Sequence, residues 1–429
     1  MMRAGLAIAV AALAGCRSAP VWTALSPDHR TPVHVVARGD RSCVTIGRRD
    51  DGCYDALALD GLVFSVAGNH VAYPARIGAR WTVVRDGVAG PGWDGIGALM
   101  FHRDGGRLAY AALADGSWRV VVNDDVGPAF DAVHWKSFTF AASGRRFAYA
   151  ARAGDSTHVV VDGIRGPGWE AVGQIAFDAE GRRVVHVGRR AGRGHLVVDG
   201  ETGPPQDAIA EIALSPSGDG YAYAARDHGQ WWVVEPQSRS GPWAAIRALR
   251  YAPSGGGLIF VARTDAGEGV AIGGVVQRWH DSVEAPVFAE DGRRWGYIGH
   301  DSGASAVIVN GETIGREREA HDLALSGATN RTAYVARRGD SVAVVDDRGR
   351  HPFDMVITGS LQFLGDGSRW VCLIGDSERR RLRVVVEGSA TGRPVDWAEI
   401  TRLIGRDPSE ETLRAWVAAE GELIAAGGK

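Results

Sequence analysis

Residues 175–203 read IAFDAEGRRVVHVGRRAGRGHLVVDGETG and contain one copy of the pattern that decides the fold. Short runs rich in Val, Ile and aromatic residues alternate with turns of Asp, Glu and Gly, which is typical of short β-strands. The Asp199-Gly200 pair favours a tight hairpin, because such turns require positive φ angles. The unit therefore predicts three clear strands, and the Gly-Pro segment that follows predicts a weaker fourth.

One position of this unit, usually aromatic, recurs along the chain at a nearly constant spacing. The residues at this position are Tyr73, Tyr110, Tyr149, His186, Tyr223, Phe260, Tyr297, Tyr334 and Cys372. Six of the eight intervals are 37 residues, and the other two are 39 and 38. The hairpin pair recurs as Asp86-Gly87, Asp162-Gly163, Asn310-Gly311 and Glu387-Gly388. A period this regular predicts one structural unit copied many times. A degenerate unit that opens at Trp22 raises the predicted number of units to ten.

Four short antiparallel strands in every unit are typical of a β-propeller blade. The turn Ser215-Pro216-Ser217-Gly218, the AYAAR strand at residues 222–226 and VVVDG at residues 159–163 resemble the WD-repeat-like blades of TolB-type propellers. The resemblance covers about residues 22–404 and implies an all-β propeller. It implies no particular activity, because propellers carry many functions. Single rings usually have four to eight blades, so one large ring and two smaller closed sheets both remain open.

Composition and motifs exclude several classes of function. The chain has 429 residues, 45% of them hydrophobic, and a net charge of −3. This charge does not favour a nucleic-acid partner, which would require a basic domain. Lysine occurs only at Lys136 and Lys429. Motifs for a nucleophile elbow, a zinc helix, a calcium loop or a phosphate loop are absent from the sequence, so we expect no metal and no cofactor.

The first residues predict a processing signal. Leu13-Ala14-Gly15-Cys16 follows an apolar stretch and resembles the lipobox of bacterial lipoproteins. The resemblance implies removal of residues 1–15, a lipid on the Cys16 sulfur, a tether over residues 16–21 and attachment to a membrane of the cell envelope. Arg17 rather than Asp follows the cysteine, which implies the outer membrane. The alternative is an ordinary secretory signal with a chance cysteine.

Two further cysteines lie on consecutive predicted strands of the first unit. Disulfides persist outside the cytoplasm, so we predict a bridge between Cys43 and Cys53; two free buried thiols are the alternative. Cys372 stands at the aromatic position, where core packing explains it.

The last residues predict a helix. Asp407 and Pro408 form a helix start. Apolar residues then recur at helical spacing at Leu413, Trp416, Val417 and Leu423 or Ile424. We expect residues 405–429 to contain an amphipathic helix packed on the propeller, and docking of a partner is the alternative.

Two charged positions repeat in register. An arginine ends the second strand at Arg38, Arg76, Arg152, Arg189, Arg226, Arg263 and Arg337. An acid follows the fourth strand at Asp55, Asp94, Asp131, Glu170, Asp207, Asp281 and Asp354. Both positions should emerge on one face. They predict either a lock between blades, built from Arg–carboxylate ion pairs and turn hydrogen bonds, or a charged rim that binds an anionic ligand or a partner.

The repeats occupy nearly all residues after the signal, so we expect no separate hydrolase domain among them. The first hypothesis is a non-catalytic, lipid-anchored scaffold that binds another envelope protein. The alternative is an enzyme, or a propeller that binds a small ligand or glycan, with its site in a central channel. Such a site requires departures from the repeat. Those present are His186, Glu235, Gly273 and His300, and none forms a matched acid–base pair in the sequence.

Overall fold

The structure is a computed structural model that describes residues 21–26, 31–66, 68–255, 257–376, 381–387, 392, 395–396 and 410–425. Within these residues, 43 strands form ten antiparallel sheets. Seven sheets have four strands, and in three the first strand is interrupted, so that five strands are present. The predicted all-β fold, built from about ten four-stranded propeller blades, is confirmed.

The first compact unit, Met1–Pro205, contains five sheets among its described residues. Sheet 1 consists of β1 (Trp22–Leu25), β2 (Pro32–Arg38), β3 (Arg41–Ile46) and β4 (Arg49–Tyr54). Sheet 2 consists of β5 (Ala56–Leu57), β6 (Val63–Phe64), β7 (Val71–Ile77), β8 (Arg80–Arg85) and β9 (Val88–Ala89), with a short 3-10 helix at Leu59–Gly61. Sheet 3 consists of β10 (Gly95–Phe101), β11 (Leu108–Ala114), β12 (Ser117–Val122) and β13 (Asp125–Val126). Sheet 4 consists of β14 (Ala132–Phe140), β15 (Phe147–Ala153), β16 (Ser156–Val161) and β17 (Ile164–Trp169). Sheet 5 consists of β18 (Ala171–Phe177), β19 (Val184–Arg190), β20 (Arg193–Val198) and β21 (Glu201–Thr202).

The second compact unit, Gln206–Lys429, contains the other five sheets among its described residues. Sheet 6 consists of β22 (Ala208–Leu214), β23 (Tyr221–Asp227), β24 (Gln230–Val234) and β25 (Arg239–Trp243). Sheet 7 consists of β26 (Ala245–Tyr251), β27 (Leu258–Thr264), β28 (Gly267–Ile272) and β29 (Val275–His280). Sheet 8 consists of β30 (Ser282–Val283), β31 (Val287–Phe288), β32 (Trp295–Asp301), β33 (Ala304–Val309) and β34 (Glu312–Glu317). Sheet 9 consists of β35 (Glu319–Leu325), β36 (Thr332–Arg338), β37 (Ser341–Asp346) and β38 (Gly349–Phe353). Sheet 10 consists of β39 (Met355–Val356), β40 (Gln362–Phe363), β41 (Trp370–Asp376), β42 (Arg381–Val386) and β43 (Val395–Asp396).

The predicted hairpin pairs form tight turns between the third and fourth strands. In sheet 4, Asp162 and Gly163 have φ angles of 50° and 82°, as this type of turn requires. The Asp162 carboxylate also accepts the backbone N–H of Phe147 at 2.9 Å, where the second strand begins. Sheets 2, 5 and 8 repeat this bond from Asp86, Asp199 and Asn310. The side chain thus fixes both the turn and the start of the strand beside it.

The recurring aromatic position forms the core. All nine residues at this position, from Tyr73 to Cys372, are at most 7% exposed. Between sheets 3 and 4, for example, Tyr149 packs with Phe130, Phe138 and Phe147. The regular period therefore reflects one buried position on the second strand of each sheet, because neighbouring sheets bury their apolar faces against each other.

The first strand is the one at which neighbouring sheets converge. Within each unit, the first strands of most consecutive sheets contact one another, as the inner strands of propeller blades do. Their pairing is interrupted by a bulge in sheets 3–7 and in sheet 9. The residues of the first, or inner, strand in these bulges therefore have no partner in the regular ladder of strand pairing.

Sheet 1 carries the predicted disulfide. Cys43 on β3 and Cys53 on β4 face each other across the strand pair and are bridged. The buried Asp51 lies beside them and accepts a hydrogen bond of 2.8 Å from the Tyr73 hydroxyl of sheet 2. Cys372 is fully buried in the core of sheets 9 and 10, as expected.

A helix, α1 (Glu410–Ala425), packs on sheet 10. Leu413 and Val417 are buried against Leu364, Val371 and other apolar residues of that sheet. Arg414 donates to the carbonyls of Gly359 and Leu361 at 3.0 and 3.2 Å. The predicted amphipathic helix is confirmed. Within the described ranges, no helix has the length and apolar character needed to cross a membrane.

Some predictions concern residues outside the described ranges. These are the signal and lipidation site at residues 1–16, most of the tether, Gly388, and the helix start at Asp407 and Pro408.

Candidate functional site

The acidic position just before the first strand makes the same contacts in five sheets. Its backbone N–H donates to the second strand of that sheet. Its carboxylate accepts a backbone N–H from the hairpin between the second and third strands. The pairs are Asp55 with Gly78 at 2.6 Å, Asp94 with Asp115 at 2.9 Å, Asp131 with Gly154 at 2.7 Å, Glu170 with Ala191 at 2.7 Å, and Asp207 with His228 at 2.9 Å. We call this contact the acid clamp.

The acid clamp supplies the predicted turn hydrogen bonds, but the predicted ion pairs with arginine are corrected. Within the described residues, the side chains of Arg76, Arg152, Arg189 and Arg226 are exposed and make no ion pair or hydrogen bond. Arg263 is also exposed, and Arg337 lies 3.7 Å from Glu319, which is not the predicted acid. The expected Arg–carboxylate ring is therefore wrong for these residues. The physical reason is that the arginine side chains at the end of the second strand lie out of reach of the carboxylates, which contact hairpin amides and, in two sheets, arginines of the third strand.

Two arginines that were not predicted do contact the clamp acids. Arg80 on β8 forms a close ion pair with Asp94, and Arg41 on β3 lies 3.6 Å from Asp55. Both residues open the third strand, immediately after the hairpin. Each pair ties one sheet to the acid that clamps the next sheet. Sequence reasoning missed them because it considered only the arginine that ends the second strand.

Most of the described aromatic residues beside the acids are core residues. Trp93, Phe130 and Trp169 are at most 9% exposed. Trp243 and Phe353 pack at the edges of two other core clusters, and Trp397 lies outside the described residues.

Among the hairpins that join the second and third strands in the first compact unit, the hairpin of sheet 5 has the most arginines. Arg189, Arg190 and Arg193 lie within five residues of one another. Arg190 stacks on the Trp169 ring at 4.5 Å, and Arg193 donates to the Pro205 carbonyl at 3.2 Å. Glu170 forms the acid clamp of this hairpin, and the exposed Arg189 guanidinium has no carboxylate within 4 Å among the described residues. This geometry can receive a carboxylate or another anion from outside.

Sheets 8 and 9 contain a second cluster of titratable residues, and one of them, His300, departs from the repeat. His300 stands at the arginine position, and its Nε2 lies 3.7 Å from Glu284. Burial, and then the neighbouring His280, lower the pKa of His300. On sheet 9, the carboxylate of Asp322 raises the pKa of His321, although burial opposes it. Two histidines with opposite pKa shifts therefore lie near one another.

The histidine cluster consists of His300, His321, Glu284 and Glu319. Glu319 acts electrostatically on both histidines. The departure at His300 was visible in the sequence, but its partners were not, because they lie on other strands. Within the described ranges, no group of His, Cys, Asp or Glu side chains has an arrangement that could hold a metal ion.

The chain matches no protein-family model, and it matches no curated protein. Several solved structures are similar. A eukaryotic initiation factor has 12% identity and a TM-score of 0.42, with 76% of this chain and 95% of that chain covered. TolB from Acinetobacter baumannii has 14% identity and a TM-score of 0.27, with 49% and 63% covered. The Dos1 propeller has 11% identity and a TM-score of 0.32, with 67% and 91% covered. At such identities, these likenesses assign no function.

Proposed function

We propose that this chain is a non-catalytic scaffold of the bacterial cell envelope, anchored through a lipid on Cys16, that binds another envelope protein. The observation that supports the proposal most is the set of exposed arginines without acidic partners at one repeated position. The acid clamps hold the hairpins beside them. Because the hairpins are already held in place, a partner that binds this surface should pay little free energy for ordering the chain.

Arginine suits this role for chemical reasons. The guanidinium group is always charged and pairs with a carboxylate through two parallel hydrogen bonds. Arginine is also frequent among the residues that dominate protein–protein affinity. Arg76, Arg152 and Arg189 in the first unit, and Arg226 in the second, present such groups to solvent. The fitting partner is therefore a protein with an acidic surface.

The binding proposal is tested by charge reversal. Crosslinking in cells that carry the lipidated protein identifies the partner, and the affinity is then measured with Arg189→Glu and Arg226→Glu. We expect at least about a tenfold loss of affinity at unchanged melting temperature. Arg103→Glu is the matched control, because Arg103 is also exposed but lies in the turn between the first and second strands. Lost stability with full binding would contradict the proposal.

The anchor is proposed from the lipobox sequence and is tested separately. Labelling with palmitate should mark the wild-type protein, and Cys16→Ser should abolish both the label and recovery in the outer-membrane fraction. A labelled Cys16→Ser protein, or a wild-type protein without label, would contradict the anchor and leave the binding proposal standing.

The histidine cluster favours a second candidate function, the binding or conversion of a small ligand. His300 and Glu284 are close enough to exchange a proton through one water molecule. A ligand screen by melting temperature, with His300→Gln as the control that should abolish any shift, tests this candidate. Ligands that shift both proteins equally would exclude this cluster as their site.

A further inference from the structure

The inner strand of sheet 4 departs from the repeat. Strand β14 has nine residues, whereas β18 of sheet 5 has seven. In sheet 4 the pairing jumps from His134 opposite Ala150 to Thr139 opposite Ala148, so four residues have no ladder partner. In sheet 5 the corresponding jump, from Val172 to Ile175, leaves two residues. The two additional residues account for the single 39-residue interval.

This longer bulge is held in place by specific contacts. The Ser137 hydroxyl donates to the carbonyl of His134 at 2.5 Å and accepts the N–H of Ala150 at 2.7 Å, so it replaces a ladder bond. Phe138 is 6% exposed and packs on Phe147 with ring centroids 5.3 Å apart. Residues 137 and 138 thus anchor the bulge, and the two residues before them are directed outward.

Those two residues are Trp135 and Lys136. Trp135 is 38% exposed, which is unusual for so large an apolar side chain. The Lys136 ammonium lies 5.5 Å from the centre of the Trp135 ring. The Lys136 ammonium has no carboxylate within 4 Å among the described residues. His134, two residues earlier, is also exposed. The bulge therefore combines a partly exposed aromatic ring with a positive charge that has no carboxylate within 4 Å among the described residues.

We propose that the Trp135–Lys136 bulge anchors an acidic, extended segment of a partner protein. The inference rests on the proposed function and adds the chemistry of the bound segment. Lys136 supplies charge complementarity to a carboxylate, and Trp135 supplies a large apolar contact of the kind that dominates interfaces. Backbone groups released from the ladder can pair with an extended chain.

A protein segment fits the bulge better than an acidic glycan. Sugar rings stack on an open aromatic face, but the Lys136 ammonium lies over one face of Trp135. Glycan sites also need neighbouring polar side chains for the sugar hydroxyls. The bulges of the adjacent inner strands offer few such groups, with Gly97 and Ala98 on one side and Gly173 and the exposed Gln174 on the other.

The test uses the full lipidated chain in detergent and a short fluorescent peptide in which Glu alternates with Val. Its affinity is measured by anisotropy, beside a Gln-for-Glu peptide and an acidic oligogalacturonate. We expect the Glu peptide to bind at least about tenfold more tightly than the Gln peptide. Trp135→Ala and Lys136→Glu should each weaken the Glu peptide by a similar factor. Trp279→Ala should have no effect, because Trp279 is also 38% exposed but lies on an outer strand.

Three results would overturn the inference. The first is that the Trp135→Ala, Lys136→Glu and wild-type proteins bind the peptide with equal affinity. The second is that none of these three proteins binds the peptide. The third is that the protein binds the oligogalacturonate in preference to the peptide. Lys136→Glu keeps the test valid if Trp135→Ala does not fold. A partner that still crosslinks in cells to the Trp135→Ala protein at full yield would contradict the inference alone, whereas failure to find any protein partner would contradict the proposed function.

Discussion

Sheets 4 and 5 are built from the same repeat and differ at a few positions. Each has an acid clamp, at Asp131 or Glu170, and the residue before each acid, Phe130 or Trp169, is a buried aromatic that pairs with the preceding sheet. Only sheet 4 carries the outward bulge of Trp135 on its inner strand. The comparison teaches that buried and hydrogen-bonded positions kept from sheet to sheet build the fold, whereas binding should be sought at exposed positions, including the departure on the inner strand of sheet 4.

The largest expected effect concerns a glycine that sheet 5 requires and sheet 4 does not. A Cβ at Gly188 would lie 2.3 Å from the Trp169 ring. In sheet 4 the corresponding residues are Ala151 and the smaller Phe130, which share one core cluster. Gly188→Ala should cost about 3 kcal/mol of unfolding free energy. The double variant Gly188→Ala with Trp169→Phe should recover most of it in chemical unfolding, because it reproduces the pair of sheet 4. This account is refuted if Gly188→Ala costs the same unfolding free energy in the wild-type protein and in the Trp169→Phe variant.

A second effect appears only in acid. Sheet 4 has Tyr149 at the core position and sheet 5 has His186, whose pKa burial lowers to about 4. Below pH 6.5 the unfolded chain binds a proton that the folded chain does not accept until about pH 4, so stability falls across this window. The loss should reach roughly 3 kcal/mol. His186→Phe should remove this part of the acid sensitivity, since sheet 7 already accommodates Phe260 beside Trp243. Parallel stability curves for both proteins between pH 8 and pH 4 would contradict the assignment.

The acid clamps should contribute similarly in both sheets. Asp131→Ala and Glu170→Ala each remove a charged acceptor from hairpin amides and should cost about 1–2 kcal/mol. Glu170 accepts two amides, at 2.7 and 3.3 Å, so its loss should be slightly larger. Asp155→Ala is the control, since Asp155 is an exposed acid in the same hairpin of sheet 4. Thermal unfolding in which Asp155→Ala is as harmful as Asp131→Ala would show that the clamp is not the cause.

The smallest effect on stability is expected at the exposed arginines. Arg152→Glu in sheet 4 and Arg189→Glu in sheet 5 should change the unfolding free energy by less than about 0.5 kcal/mol, because neither side chain has a partner among the described residues. Thermal unfolding of both variants beside wild type checks this. A loss comparable to that of the clamp variants would restore the ion-pair interpretation.

The sequence predicted the features that depend on periodicity or on local chemistry. The aromatic spacing predicted the sheets, the Asp-Gly pairs predicted the turns, and Cys43 and Cys53 predicted their bridge, since each signal lies within one repeat. The arginine contacts were not predictable in the same way. Whether a carboxylate such as Asp131 binds a guanidinium or a hairpin amide depends on backbone geometry, which residue types do not specify.

The bulge of sheet 4 shows where the prediction stopped. The 39-residue interval was visible in the sequence, but its consequence depends on Ser137 replacing a ladder bond and on Phe138 entering the core. Without these two contacts, a two-residue insertion would not hold the Trp135 side chain in its exposed position. The histidine cluster is similar, because only His300 departs from the repeat, and its neighbours come from other strands.

The most direct test of the account is deletion of Trp135 and Lys136, which gives sheet 4 an inner strand as long as that of sheet 5. We predict that the unfolding free energy of the shortened protein lies within about 1 kcal/mol of the wild-type value. Its affinity for the peptide of alternating Glu and Val, measured by anisotropy, should fall at least about tenfold. Unchanged peptide affinity in a folded deletion variant would contradict the central claim that the departure from the repeat on the inner strand of sheet 4 binds an acidic segment.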